Sequence, residues 1–185
     1  MGSRYETIDD TLRGFIESQH VFFVGTAPGG SSGHINVSPK GMNALRILGP
    51  TAVAYLDYVG SGAETIAHLR DNGRIVIMLC SFEGAPKIVR LHGSGRAIEP
   101  QDAEFAALRA HFDGGTGVRA IVHVTLTRIS DSCGYGVPQY RYAGERTQLG
   151  AWSARKEDAE LEAYQRANNA VSIDGLPGLR WTDRR

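Results

Sequence analysis

Along residues 119–129, Val122, Val124 and Leu126 fall on one side of an extended chain and Thr125 and Thr127 on the other. That period of two marks a strand with one face buried. Five β-rich runs precede it, at residues 21–26, 34–38, 52–57, 74–80 and 88–98, the last punctuated by Gly93 and Gly95. Six such segments, separated only by short helical patterns, predict a closed or nearly closed antiparallel barrel. The first two are joined by Ala27-Pro28-Gly29-Gly30-Ser31-Ser32-Gly33, a turn-forming cluster, and read as a hairpin with a loose loop. Glycine makes up 23 of 185 residues, above the typical ~7% and in keeping with many tight turns.

The intervening patterns are helical. Ile8, Leu12, Phe15 and Ile16 recur at helical spacing behind Thr7 and Asp10, which resemble a capping box, and predict a helix over 7–18. Residues 61–72 end in Asn72-Gly73, a stop signal. Residues 100–112 place Phe105, Leu108 and Phe112 on one face before Asp113-Gly114-Gly115, and a last helix is expected near 157–168. The tail 172–179 is too rich in Gly and Pro for regular structure. With no repeat and no linker, the chain reads as a single domain, 1–185, in which about 143–185 form a C-terminal extension.

Hydrophobic residues at 42% and charged residues at 22% argue against disorder, a fibrous repeat or a membrane span. Twenty basic residues cancel twenty acidic ones, so no global field draws the protein to nucleic acid or anionic lipid. Cys80 and Cys133 show no CxxC spacing, and the charged first 20 residues hold no apolar signal core. Reduced thiols and a cytoplasmic location are the expectation. The six histidines form no HxxxH pair and no zinc-type spacing, so no metal site is expected. Without GxSxG, a Walker loop or a GxGxxG after a strand, hydrolase, P-loop and Rossmann readings lack support.

Three segments remain as candidates for chemistry. Val37-Ser38-Pro39-Lys40-Gly41 follows a strand that Pro39 is expected to end, presenting Lys40 at a barrel rim, where an ammonium holds phosphate as a point charge. The same residues also describe an exposed turn lysine. Gly60-Ser61-Gly62-Ala63-Glu64-Thr65 leads into a helix whose first amides make an anion pocket, with Ser61 and Thr65 as hydroxyl donors. Ser61-x-x-Glu64 equally reads as a capping box that satisfies two of those amides. Ser132-Cys133-Gly134-Tyr135-Gly136-Val137-Pro138, with Tyr140, Tyr142 and Trp152, suits either a planar ligand or a packed loop.

Taken in order, residues 7–142 resemble the pyridoxamine 5'-phosphate oxidase-like family of FMN-binding split-barrel proteins. The fold this implies is mainly β with α (α+β): a six-stranded antiparallel split β-barrel with peripheral helices. The remaining segments, including 172–178, resemble the C-terminal extension of a subgroup, packed on the barrel or on a dimer partner. The resemblance implies FMN in a groove between two protomers. Carried onto this sequence, the flavin-binding strand holds Asn36, Val37, Ser38 and Lys40, and the next strand and turn hold Tyr55, Asp57, Ser61 and Thr65. Arg90 and His92 fall on the long strand that borders the flavin ring.

The departures from the archetypal oxidase are Ile35 in place of an arginine, Gly62-Ala63 in place of an Arg-Lys pair, and a tail, 179–185, without the Arg-x-His signature. Oxidation of pyridoxamine phosphate is therefore not expected. The implied function is an FMN-dependent oxidoreductase, a homodimer moving hydride or electrons between flavin and a small organic substrate. No side chain is singled out as catalytic, because the cofactor carries the chemistry. A deazaflavin coenzyme in the same groove, a non-catalytic flavin- or haem-binding protein, and a barrel with no cofactor are the alternatives.

Overall fold

In the computed structural model, which describes residues 2–181, one antiparallel sheet of eight strands wraps around the main apolar core. The end of the tail, 182–185, lies outside the described residues. The elements run β1 (Arg4–Tyr5), α1 (Asp10–Glu17), β2 (Phe22–Thr26), β3 (Asn36–Lys40), β4 (Leu45–Gly49), β5 (Ala52–Tyr58), α2 (Glu64–Asp71), β6 (Arg74–Cys80), β7 (Lys87–Ile98), α3 (Phe105–Arg109), β8 (Val118–Cys133), α4 (Gln148–Ala154) and α5 (Asp158–Asn168). Hydrogen-bonded neighbours follow the order β3-β2-β6-β7-β8-β5-β4, with β1 added to β8. The two ends of this path, β3 and β4, are consecutive in the chain and joined by residues 41–44. The barrel is split there.

Alternation along the central strands sends Val24, Ile77, Leu79, Val89 and Leu91 inward. In β5 the residues Val53, Ala54, Tyr55, Leu56 and Asp57 are all buried, which is why that segment reads as a continuous apolar run rather than an alternating one. The ladder between β7 and β8 shifts register between His92 and Gly93. A Cβ at Gly93 would collide with the backbone carbonyl of Thr125, so the long strand bends where it carries no side chain. Helix α1 is capped by Asp9, whose side chain accepts from Leu12 N at 2.8 Å, and it buries Leu12 and Ile16 against the core. Asp9 caps it rather than the expected Thr7.

The sheet has eight strands where six were expected. β4 was hidden because all five of its residues are half-buried, leaving no period for a pattern to show, and β1 has only two residues. β3 runs through Pro39 to Lys40 instead of stopping before it. As an edge strand it pairs only with β2, so the missing N–H of proline interrupts no central ladder. Helix α3 is a short piece of the expected 100–112 segment, and α4 was not expected.

The C-terminal extension touches the barrel at defined points. Asn169 Nδ2 donates to Gly60 O at 2.9 Å, Leu179 packs in a small apolar cluster with Ile66 and Ala120, and Arg180 N donates to Glu99 Oε2 at 2.9 Å. Among the described residues no helix is long and apolar enough to cross a membrane.

Candidate functional site

Alternation along β3 is what assembles the site. Asn36, Ser38 and Lys40 face the barrel side of the strand, while Val37 and Pro39 face outward, Val37 with 65% of its surface exposed. The inward side chains meet the beginning of α2. Asn36 Nδ2 donates to Thr65 Oγ1 at 3.0 Å, and Ser38 Oγ donates to Asn36 Oδ1 at 3.2 Å. Lys40 Nζ reaches across the split to Asp57 Oδ1 at 2.9 Å. On its other side Asp57 Oδ2 accepts from Arg119 Nε at 2.8 Å. One buried carboxylate thus joins the edge strand β3 to β5 and β8.

Burial alone would push the carboxyl of Asp57 up, but Arg119 and then Lys40 hold it below the usual carboxylate range. Arg119 also donates to Gly62 O at 2.8 Å, and Gly60 O is taken by Asn169. The carbonyls of the 60–62 turn are therefore drawn toward β8 and the extension. The capping box expected from Ser61 and Glu64 is not formed. Helix α2 begins later, with Ala63 at its N-cap and no side-chain cap. Ala67 N makes the first helical bond, to Ala63 O, so the amides of Glu64, Thr65 and Ile66 have no acceptor within the helix.

These pieces line one cavity of about 420 Å³, with Asn36, Ser38, Lys40, Ser61, Thr65 and Arg119 in its wall. Hydroxyls, an amide, an ammonium and uncapped backbone N–H groups converge there, a donor set suited to an oxyanion. Lys40 commits one of its three N–H donors to Asp57. Glu64 also borders the cavity, and its Oε1 accepts from Ile173 N at 3.3 Å. A Cβ at Gly62 would run into the carboxylate of Glu64, and Ala63 is buried against the tail at Gly178. Where the archetype has its Arg-Lys pair, this chain has a glycine beside the Glu64 carboxylate and an alanine buried at the tail.

Of the residues singled out in the sequence, Asn36, Ser38, Lys40, Ser61 and Thr65 come together in the cavity wall, with Asp57 behind Lys40. Four do not. Tyr55 lies fully inside the barrel, edge-on to Phe22 with ring centroids 5.5 Å apart, and its hydroxyl has no hydrogen-bond partner among the described residues. Val37 points outward. Arg90 and His92 lie on the half-exposed face of β7 opposite the core, Arg90 donating to Ser132 Oγ at 3.0 Å. Burial, Arg128 and Arg90 push the His92 imidazole down.

Arg119 is the residue the pattern reading missed. Its signal was available: a lone cation in the otherwise apolar run Val118-Arg119-Ala120-Ile121-Val122, which calls for a buried counter-charge.

The sequence profile described as pyridoxamine 5'-phosphate oxidase matches residues 8–133, from the first core residue before α1 to the end of β8. The chain belongs to the pyridoxamine 5'-phosphate oxidase family. A curated relative in this family, the Aspergillus flavus pyridoxamine 5'-phosphate oxidase family protein ustO, is 39% identical over 192 residues, covering 95% of this chain and 77% of the relative. That coverage carries the family likeness past β8 and well into the extension, beyond where the profile stops.

Solved structures with the split-barrel fold of the family superimpose on the barrel. A variant of HupZ from Group A Streptococcus matches with a TM-score of 0.54 at 20% identity, over 68% of this chain and 99% of that one. A Lactobacillus delbrueckii protein, named as a candidate pyridoxamine 5'-phosphate oxidase, matches with a TM-score of 0.51 at 13% identity, over 68% and 97%.

Proposed function

We propose that the protein is a flavin-dependent oxidoreductase that binds FMN and works as a homodimer in the cytoplasm, moving hydride or electrons between the flavin and a small organic substrate. The observation that carries this reading is the oxyanion cavity at the split. Lys40, Asn36, Ser38, Ser61 and Thr65 gather around the uncapped start of α2, and they would hold the FMN phosphate. Family membership and the resemblance of the flavin-binding strand support the choice of FMN. When bound, the flavin would supply reversible hydride and electron transfer. Arg119 and Asp57 would keep Lys40 and the 60–62 turn in place.

The outer face of the sheet supports a second copy as partner. Strand register sets Val37 and Pro39 beside Gly25 and Phe23, then Val76 and Met78, then His92 and Arg90. Ile35, just before β3, is 77% exposed. A continuous apolar face of this kind, with two cationic or polar side chains at one side, suits a dimer interface. In a dimer built on it, Arg90 and His92 lie at the protomer boundary. The thiols of Cys80 and Cys133 are unpaired, which fits a reducing compartment.

The test is a visible spectrum of the purified protein followed by titration with FMN, FAD, a deazaflavin coenzyme and haemin. Saturable FMN binding is expected, weakened about tenfold or more by Lys40→Ala at fixed salt, the effect of losing a charge-assisted hydrogen bond. Binding only of deazaflavin would change the reaction partner, and binding only of haemin would replace the enzyme by a carrier. Failure of every cofactor to bind would sink the proposal.

A further inference from the structure

A second and larger depression, about 1220 Å³, lies on the other side of the Pro39–Met42 stretch from the oxyanion cavity. The two share Pro39, Lys40, Gly41, Met42 and Leu149 as a common wall. Its far side is the segment 140–147, which has no regular structure and crosses the barrel as a strap. The strap is tied down at three points. Tyr140 N donates to Phe82 O at 3.1 Å, Tyr142 N to Glu83 Oε1 at 3.2 Å, and Met42 N to Glu145 Oε2 at 3.1 Å.

Its chemistry is uneven in an informative way. The Tyr142 ring lies flat on the imidazole of His20, centroids 3.6 Å apart and planes within 8°. The Phe82 and Tyr140 rings stand 5.5 Å apart beside them. Both carboxylates of the groove, Glu83 and Glu145, already accept backbone N–H groups. Arg141 and Arg146 also line it, are exposed, and are in no ion pair among the described residues. Lys40 is engaged by Asp57. The uncommitted charged donors are thus two forks suited to a planar anion, set among aromatic faces suited to a flat ring.

We propose that the strap groove binds a flat, carboxylate-bearing aromatic molecule, stacked at Tyr142 and anchored by Arg141 and Arg146, and that this is the substrate class of the enzyme. The last clause rests on the flavin-oxidoreductase reading. The groove itself does not. Its position against the wall shared with the oxyanion cavity places such a ligand next to whatever the cavity holds. The groove exceeds the typical upper end of ~1,000 Å³ for small-molecule sites only slightly.

The test uses naphthalene-2-carboxylate and its neutral counterpart 2-naphthamide, titrated calorimetrically into the full chain with and without FMN. The carboxylate is expected to bind about tenfold or more tightly than the amide. The double variant Arg141→Ala/Arg146→Ala should abolish that preference, Tyr142→Ala should weaken both probes, and Tyr142→Phe should weaken neither. FMN affinity should be unchanged in all three variants. Equal affinity for the two probes, no saturable binding, indifference to the arginine substitutions, or displacement of the probe by FMN would each overturn the proposal. Loss of FMN binding with carboxylate binding intact would instead refute the flavin reading and leave the anion groove standing.

Discussion

At the scale of single residues, the arrangement turns on Asp57, wholly buried between Lys40 and Arg119. Asp57→Asn removes the counter-charge of two cations, one of them buried, and should cost roughly 3–5 kcal/mol in urea unfolding, because breaking a buried pair leaves charge uncompensated. Since the folded carboxyl sits below its ordinary value, its contribution is complete above about pH 3.9, the unfolded value, and is lost as pH falls through the lower folded one. His68 acts in a different window. It is buried, with Nδ1 3.0 Å from Thr26 Oγ1 and Nε2 without a hydrogen-bond partner among the described residues. Burial pushes its imidazole down, partly offset by Asp174, Glu64 and Asp71. The unfolded chain therefore takes up the proton first, and stability should decline as pH drops below about 6.5. Denaturant midpoints at pH 7.5 and 5.5 test this, and His68→Gln should flatten the difference. His92 and His123, also pushed down by burial and nearby arginines, leave a residual slope of the same sign. Lys40 stands out in the sequence as a cation just behind the β-rich run 34–38, whereas Asn36 and Ser38 are marked only by the family resemblance, which marks the outward-facing Val37 with them. Asp57 and Arg119 meet only through the pairing of β5 with β8, which no local pattern announces.

At the scale of elements, helix ends and strand edges explain where the pattern reading strayed. Asp9 holds the start of α1, and Asp9→Ala should lower stability by about 1 kcal/mol, the usual worth of an N-cap, measured by thermal or urea unfolding. Helix α2 shows the opposite case. Ser61-x-x-Glu64 is the right pattern for a capping box, yet Arg119 and Asn169, 58 and 108 positions further along than Ser61 in the chain, pull the 60–62 carbonyls away and the helix starts without a cap. A tertiary contact overrode a local one and left the oxyanion cavity open. In β7 the bend at Gly93 depends on a missing side chain. Gly93→Ala would drive a Cβ into the Thr125 carbonyl and should cost about 2–3 kcal/mol, seen as a lower denaturant midpoint with unchanged β content by circular dichroism.

At the scale of the whole molecule, the sheet is open at one seam and apolar on one outer face. If that face joins two protomers, sedimentation velocity should show a dimer, and Met78→Lys, which places a charge beside Phe23 and in line with Pro39, should shift the population to monomer with the fold intact. The barrel class and the positions of most strands were readable from residue order alone. They depend on the period of two, on turn residues and on chain stiffness, all of which act over a few neighbours. Tertiary structure settled the rest. It added β4, whose uniform half-burial carries no period, and carried β3 through Pro39, since only an edge tolerates proline. It sorted the marked residues into a cavity group, an outer-face group and, for Tyr55, the barrel interior, and it folded the 140–147 strap over a second groove. These outcomes follow from pairing between neighbouring strands and from contacts between distant segments, where burial and charge pairing outweigh local preference.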